Sequence, residues 1–169
     1  MLIIQAQGGP ELLKQLSGIT ALKKIYWGYN NILNLPTEIG GLVNLEELDL
    51  SNNNLTALPA EISGLKSLTH FCLTNNNLKT IPWEIGLLES LTNLDLSNNV
   101  DLNLTEVVCK VENLTNLRVL KFRNNNLKEL PMQLLRVLPL RELDLTGCPV
   151  SPNNLVTLRA LMPECAIFV

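Results

Sequence analysis

The single histidine of this chain, His70, stands two residues from Cys72. Residues at i and i+2 of a strand face the same side, and a thiol beside an imidazole is the smallest set of groups that makes an activated nucleophile. The spacing argues against that chemistry. Cβ atoms at i and i+2 are roughly 6.5 to 7 Å apart, and an open sheet face brings neither an oxyanion hole nor a water-excluding pocket. Asp49 and Asp95 each lie 23 residues from Cys72, so the four residues together carry zinc-binding groups. They lack every paired spacing that zinc sites use. We therefore expect no enzyme activity, no catalytic residue, no metal and no cofactor. Cys109, Cys148 and Cys165 add no CxxC pair and no disulfide framework, which predicts a reducing, intracellular compartment.

What must position these residues is a repeat. Leu22, Leu45, Leu68 and Leu91 recur at intervals of 23, Leu117 follows after 26, and Leu140 after 23 again. Each unit opens as Leu45, Leu48, Leu50 and Asn53 do, and the second continues through Leu55, Leu58, Pro59, Ile62 and Leu65. Leu48-Asp49-Leu50 alternates with the period of a half-buried strand, and a 23-residue return is too long for a hairpin but suits a crossover, so the strands run parallel. Leucine supplies 38 of the 169 residues. The core is therefore built mainly from one side chain, and a unit can bury its leucines only against its neighbours.

The LxxLxLxxNxL pattern resembles the leucine-rich repeat family, and the LPxEIGxL second half is similar to its intracellular Ras-group and Roco-type subclass. The resemblance covers roughly residues 22 to 150. It implies an α/β fold, a right-handed horseshoe solenoid with a concave parallel sheet and short helical or irregular convex segments. It also implies a non-catalytic function, binding of a partner protein through the concave face by a monomeric module. A scaffold or regulatory fragment of a GTPase-linked signalling protein and a pathogen-delivered effector are alternatives the residues do not separate. Residues 1–169 are read as one domain: a degenerate N-terminal cap over 1–21, six repeats over 22–150 and a C-terminal cap over 151–169.

Asn30, Asn53, Asn76, Asn99 and Asn125 occupy one position of the unit, with Cys148 in the sixth copy. An amide there suits the backbone groups left open where the strand bends away, so these residues read as a structural ladder and not as a ligand site. Alternation then sets the outward residues. A central row runs Tyr26, Asp49, Cys72, Asp95, Lys121, Asp144. A second runs Lys24, Glu47, His70, Asn93, Val119, Glu142, and a third, at the strand exits, Tyr29, Asn52, Asn75, Asn98, Asn124, Gly147. The candidate partner-binding set is Lys24, Tyr26, Tyr29, Glu47, Asp49, His70, Cys72, Asp95, Lys121 and Arg123. Tyr26 and Tyr29 beside Lys24 have the composition of a binding hot spot, unless the N-terminal cap folds over them. Lys121 is expected to pair laterally with Asp95 and Asp144. Trp27 falls inward, and Trp83 on the convex side.

At the ends the same register places Leu2, Ile4, Leu12, Leu16 and Ile19 inward, with a short helix from Pro10 to Leu16. It places Ala166 and Phe168 inward after a helix over 152–161, for eight parallel strands in all. The fourth unit, with three added residues after Asn99, is expected to bulge and turn more helical. Thirteen basic against sixteen acidic groups, a net charge of −3, argue against a nucleic-acid partner. No apolar stretch is long enough to span a bilayer, and the opening Met1-Leu2-Ile3-Ile4-Gln5 has no basic leader for a secretory signal. The N-x-T triplets at Asn54, Asn103 and Asn113 arise from the repeat itself and do not by themselves point to a glycoprotein. A cytoplasmic location is expected, with a secreted or translocated effector as the alternative.

Overall fold

In a computed structural model of the chain, residues 2–5, 11, 15, 18, 19, 21–127 and 139–169 are described. Eight strands form one sheet in chain order: β1 (Leu2–Gln5), β2 (Leu22–Tyr26), β3 (Glu47–Asp49), β4 (His70–Cys72), β5 (Asn93–Asp95), β6 (Val119–Lys121), β7 (Glu142–Asp144) and β8 (Ala166–Phe168). All neighbours are parallel. The register from β2 to β7 aligns the rows in the order Tyr26, Asp49, Cys72, Asp95, Lys121, Asp144 and Lys24, Glu47, His70, Asn93, Val119, Glu142. Between them the inward residues Ile25, Leu48, Phe71, Leu94, Leu120 and Leu143 are buried. Each short strand thus has one apolar residue facing the core and two facing solvent, which is what the L-x-L alternation demands.

Behind the sheet, the second coil buries Leu45, Leu48, Leu50, Leu55, Leu58, Ile62 and Leu65 together. On the convex side the Leu-Pro segments lead into three 3₁₀ turns, Thr37–Gly41, Ala60–Gly64 and Trp83–Leu87, each entered from a proline in extended conformation. The turns stack closely enough that a Cβ on Gly64 would collide with the Gly40 carbonyl; only glycine allows that approach. The fourth unit departs as its sequence implies. Its added residues lengthen the turn into an α-helix, Leu104–Val111, which buries Leu104, Val107, Val108 and Val111. The Asn103 side chain caps it by accepting from the Glu106 amide at 3.3 Å. Glu106 in turn receives the Thr80 hydroxyl at 3.0 Å and Lys110 at 3.2 Å, fastening the helix to the coil before it.

The ladder amides bridge coil to coil. Asn53 accepts from the Asn30 and Ile32 amides at 3.1 and 3.0 Å. It donates to the Trp27 and Leu50 carbonyls at 2.9 and 3.0 Å. Asn76 accepts from Leu55 N and donates to the Leu50 and Leu73 carbonyls, each at 3.0 Å. Asn99 repeats the arrangement through Leu78 N, Leu73 O and Leu96 O. Asn125 accepts from Asn99 N at 2.6 Å and donates to Leu96 O at 3.0 Å. Cys148 donates a single thiol bond, to Phe122 O at 3.0 Å. Trp27 is buried, and its indole N–H meets no acceptor among the described residues.

The register differs from expectation at the C-terminal end. Leu143 pairs with Ile167 and Asp144 with Phe168, so Ile167 is the residue packed against the core. Ala166 and Phe168 point outward, and Phe168 is 49% exposed. The helix Pro152–Leu161 and its turn make the last coil one residue longer than the repeat, and one residue exchanges the faces of a strand. At the other end Ile4 takes the register of Ile25, after an irregularity between Leu2 and Ile3, and Ile19 packs against the core. Leu12, Leu16 and most of the segment from Pro10 to Leu16 lie outside the described residues.

Replacing Asn76 by alanine leaves the buried Leu55 N–H without its acceptor, at about 1 to 3 kcal/mol, and takes one of two amide donors from each of the Leu50 and Leu73 carbonyls, which keep Asn53 and Asn99. We expect Asn76→Ala to destabilise the fold by about 3 kcal/mol, read as a lower urea midpoint. A loss below about 1 kcal/mol would mean that the ladder bonds do not hold the coils together.

Candidate functional site

The outward faces of β2 to β7 form the candidate surface, and its charges are fixed by neighbours across the sheet. At the first unit Lys24 Nζ lies 2.6 Å from Glu47 Oε1, and the Tyr26 hydroxyl donates to Glu47 Oε2 at 2.7 Å. One carboxylate therefore holds both. These bonds, Lys24 first and Tyr26 second, keep the Glu47 carboxyl below its ordinary range. The Lys24 ammonium is correspondingly held above its own, mainly by Glu47. Tyr29 stands apart, on the strand exit, 76% exposed.

Tyr29 also has a backbone property that alternation alone does not reveal. Its φ is 60°, and the equivalent residues Asn52, Asn75, Asn98, Asn124 and Gly147 have φ of 54°, 56°, 56°, 53° and 75°. Left-handed backbone favours glycine and asparagine, so the third row is first a turn requirement and only then a surface. Asn75 donates to Asn52 at 2.7 Å and Asn124 to Asn98 at 3.0 Å, making a second, exposed set of amide contacts. The run of Asn and Gly at this position was the available sequence signal for it.

At the centre, Asp49 Oδ1 accepts from the Ser51 amide at 2.8 Å and Asp95 Oδ1 from the Ser97 amide at 2.9 Å. Cys72 lies between the two aspartates in register. Its thiol is oriented toward the Thr74 hydroxyl at 3.5 Å, and burial, with the two carboxylates adding to it, pushes the thiol pKa up. His70 is exposed, with Nδ1 2.9 Å from the Thr69 hydroxyl. A neutral thiol turned to Thr74 and an imidazole beside Thr69 do not form a nucleophile and its base. No group of three or more His, Cys, Asp or Glu among the described residues is arranged to hold a metal. These residues line a shallow groove of about 280 Å³, reached also by the strands at Leu48, Phe71 and Leu94, whose own side chains are buried in the core.

At the fifth and sixth units the pairing departs from the lateral ladder expected for Lys121. Its ammonium lies 2.8 Å from Glu142, a residue of the neighbouring row, and not on Asp95 or Asp144. Glu142 is the main reason that the Lys121 pKa is raised. Asp144 is taken by Arg123, with Nε 3.3 Å from Oδ2, and is buried despite its outward position. Lys121 and Arg123 therefore reach the surface already neutralised. Glu142 and Asp144, absent from the candidate set, are the groups that decide this.

A family model described as a leucine-rich repeat region matches residues 5–139. A leucine-rich repeat protein of Leptospira interrogans has 30% identity, with a TM-score of 0.71 over 99% of this chain and 48% of that one. An internalin of Listeria monocytogenes shares the fold at 21% identity, with a TM-score of 0.72 over 90% of this chain and 42% of that one. The leucine-rich repeat ectodomain of a receptor kinase from Arabidopsis thaliana has 28% identity, with a TM-score of 0.58 over 76% of this chain and 73% of that one. The chain thus spans less than half the length of the first two. No curated protein matches it. No helix among the described residues is long and apolar enough to cross a membrane.

The lowered Glu47 carboxyl has a sign that can be measured. A carboxylate whose pKa is depressed on folding stabilises the fold above its unfolded pKa, and that contribution disappears as pH falls through the folded value. Glu47→Gln should therefore cost stability at pH 7 and little at pH 2 to 3, in paired thermal melts across that range. An equal cost at both pH values would show that the ion pair contributes nothing.

Proposed function

The chain belongs to the leucine-rich repeat family, and from that premise we propose that it is a non-catalytic protein-binding module contacting its partner through the concave sheet face. Domains of this family commonly serve as protein-interaction modules. A preformed sheet with its side chains already in fixed rows binds without a large ordering cost. The proposal takes Lys24, Tyr26, Tyr29, Glu47, Asp49, His70, Cys72, Asp95, Lys121 and Arg123 as the contact set and residues 1–169 as one domain acting as a monomer. All four cysteines stand as free thiols, which supports a cytoplasmic setting.

The observation that carries this reading is Tyr29. An aromatic residue at a φ of 60° costs about 1 to 2 kcal/mol relative to a residue suited to left-handed backbone. With 76% of its surface in water, little packing offsets that cost. Strain of this kind is kept where a side chain is needed for something other than folding, and an exposed tyrosine is a favoured interface anchor. Tyr26 stands on the same unit, its hydroxyl held by Glu47. A second reading, in which the array is the scaffold segment of a longer signalling protein, draws on the chain spanning 48% and 42% of two structures that it resembles.

Tyr29→Asn is expected to raise stability by about 1 kcal/mol, seen as a higher urea midpoint, while Tyr26→Ala with Tyr29→Asn loses partner capture in a quantitative pull-down that Trp83→Ala leaves unchanged. Capture indifferent to both tyrosines would remove the first unit from the contact surface. Destabilisation by Tyr29→Asn would show that the tyrosine is there to support the fold.

A further inference from the structure

The concave face neutralises its own charge from strand to strand, with a gap at the centre. Glu47 holds Lys24 at 2.6 Å, Glu142 holds Lys121 at 2.8 Å and Asp144 holds Arg123 at 3.3 Å. Among the described residues, no lysine or arginine pairs with Asp49 or Asp95. The three aspartates are copies of one local structure. In each, Oδ1 accepts the amide two residues on, from Ser51, Ser97 or Thr146, at 2.8, 2.9 and 3.0 Å. In Asp144 the second oxygen receives the chain's own guanidinium. Asp49 and Asp95, without such a partner among the described residues, line the groove of about 280 Å³ over Cys72. Both fields converge there, since both carboxylates help to raise the Cys72 pKa.

We propose that this groove takes two arginine side chains from an extended segment of a partner protein, one on Asp49 and one on Asp95, each bound as Arg123 is bound on Asp144. The inference deepens the concave-face reading and rests on it. One strand, β4, lies between the carboxylates, so they are two strand spacings apart, about 9.6 Å. A polyproline II segment returns to the same face every third residue, after about 9.3 Å, so the matching partner sequence is Arg-x-x-Arg in that conformation. A guanidinium, which keeps its charge and its planar set of donors, suits a carboxylate already fixed at its other oxygen by a backbone amide.

The test uses a fluorescein-labelled peptide, acetyl-Pro-Arg-Pro-Pro-Arg-Pro-amide, in anisotropy titrations at low and physiological salt. Three controls accompany it: the same peptide with citrulline at both arginines, one with its arginines adjacent, and one with lysine in their place. Asp49→Asn and Asp95→Asn keep the Oδ1 acceptor for the Ser51 and Ser97 amides, so the turns survive while the charge is lost; circular dichroism and urea midpoints check this. Each variant should weaken the peptide about tenfold or more, as expected for a lost charged hydrogen bond, and the double variant and the citrulline peptide should not bind. Binding that tolerates citrulline or the double variant would overturn the inference. Equal affinity for adjacent arginines would overturn the two-carboxylate spacing, and equal affinity for lysine the guanidinium fit. The two readings separate cleanly. If the tyrosine variants abolish protein capture while the aspartate variants retain it and the peptide fails to bind, the arginine inference falls and the concave-face reading stands. If neither pair of variants affects capture, both fall.

Discussion

The rest of the structure depends on the buried backbone of each bend being satisfied by one amide side chain from the adjoining coil. A 23-residue coil makes only a three-residue strand, as in β3 to β7, so the sheet ladder alone leaves carbonyls and amides open where the chain turns under it. Asn53, Asn76, Asn99 and Asn125 close these groups with bonds of 2.6 to 3.1 Å within their own coil and into the neighbouring ones. An amide can do this because it carries donors and an acceptor on one rigid plane. Leucine burial supplies the driving force, but it is non-directional. The asparagines set the register in which that burial occurs, and with it the rows of outward residues.

Once the rows are set, the concave face is a question of which charges meet. Lateral neighbours sit close enough for a long side chain to choose between partners, and the choices leave the two ends of the face quenched and its middle open. Lys24, Lys121 and Arg123 are drawn onto Glu47, Glu142 and Asp144. Asp49 and Asp95 instead use one oxygen each for the turn that follows their strand. The aspartate position therefore serves two ends at once, a local backbone bond and a field over the groove.

Much of this was legible from spacing alone. The repeat located Leu48 inside and Asp49 outside, placed Cys72 between two aspartates, and anticipated that the three residues added after Asn99 would give a helical bulge, since a sheet with period two and a constant return admits little else. Three features were not legible, for distinct reasons. Lys121 pairs with Glu142 because a flexible four-carbon stem reaches a diagonal neighbour that strand register does not single out. Ile167, not Ala166 or Phe168, faces inward because the helix and turn before β8 change the coil length by one residue, beyond the reach of the last repeated motif. The left-handed row was masked by Tyr29 itself, which is the wrong residue type for the conformation that Asn52, Asn75, Asn98 and Asn124 advertise.

Cys148 gives the array a seam. Where the ladder side chain of each preceding coil is an amide with several strong bonds, here it makes a single thiol bond among the described residues, to Phe122, with the Asn125 and Leu127 amides turned toward the sulfur. Sulfur is a weak acceptor and a weak donor. In a linear array whose stability is a sum of nearest-neighbour couplings, the weakest coupling decides where cooperativity divides. At the ladder position the fifth and sixth units are therefore coupled more weakly than the units before them, while the coils that carry Tyr26, Asp49 and Asp95 are joined by amides throughout.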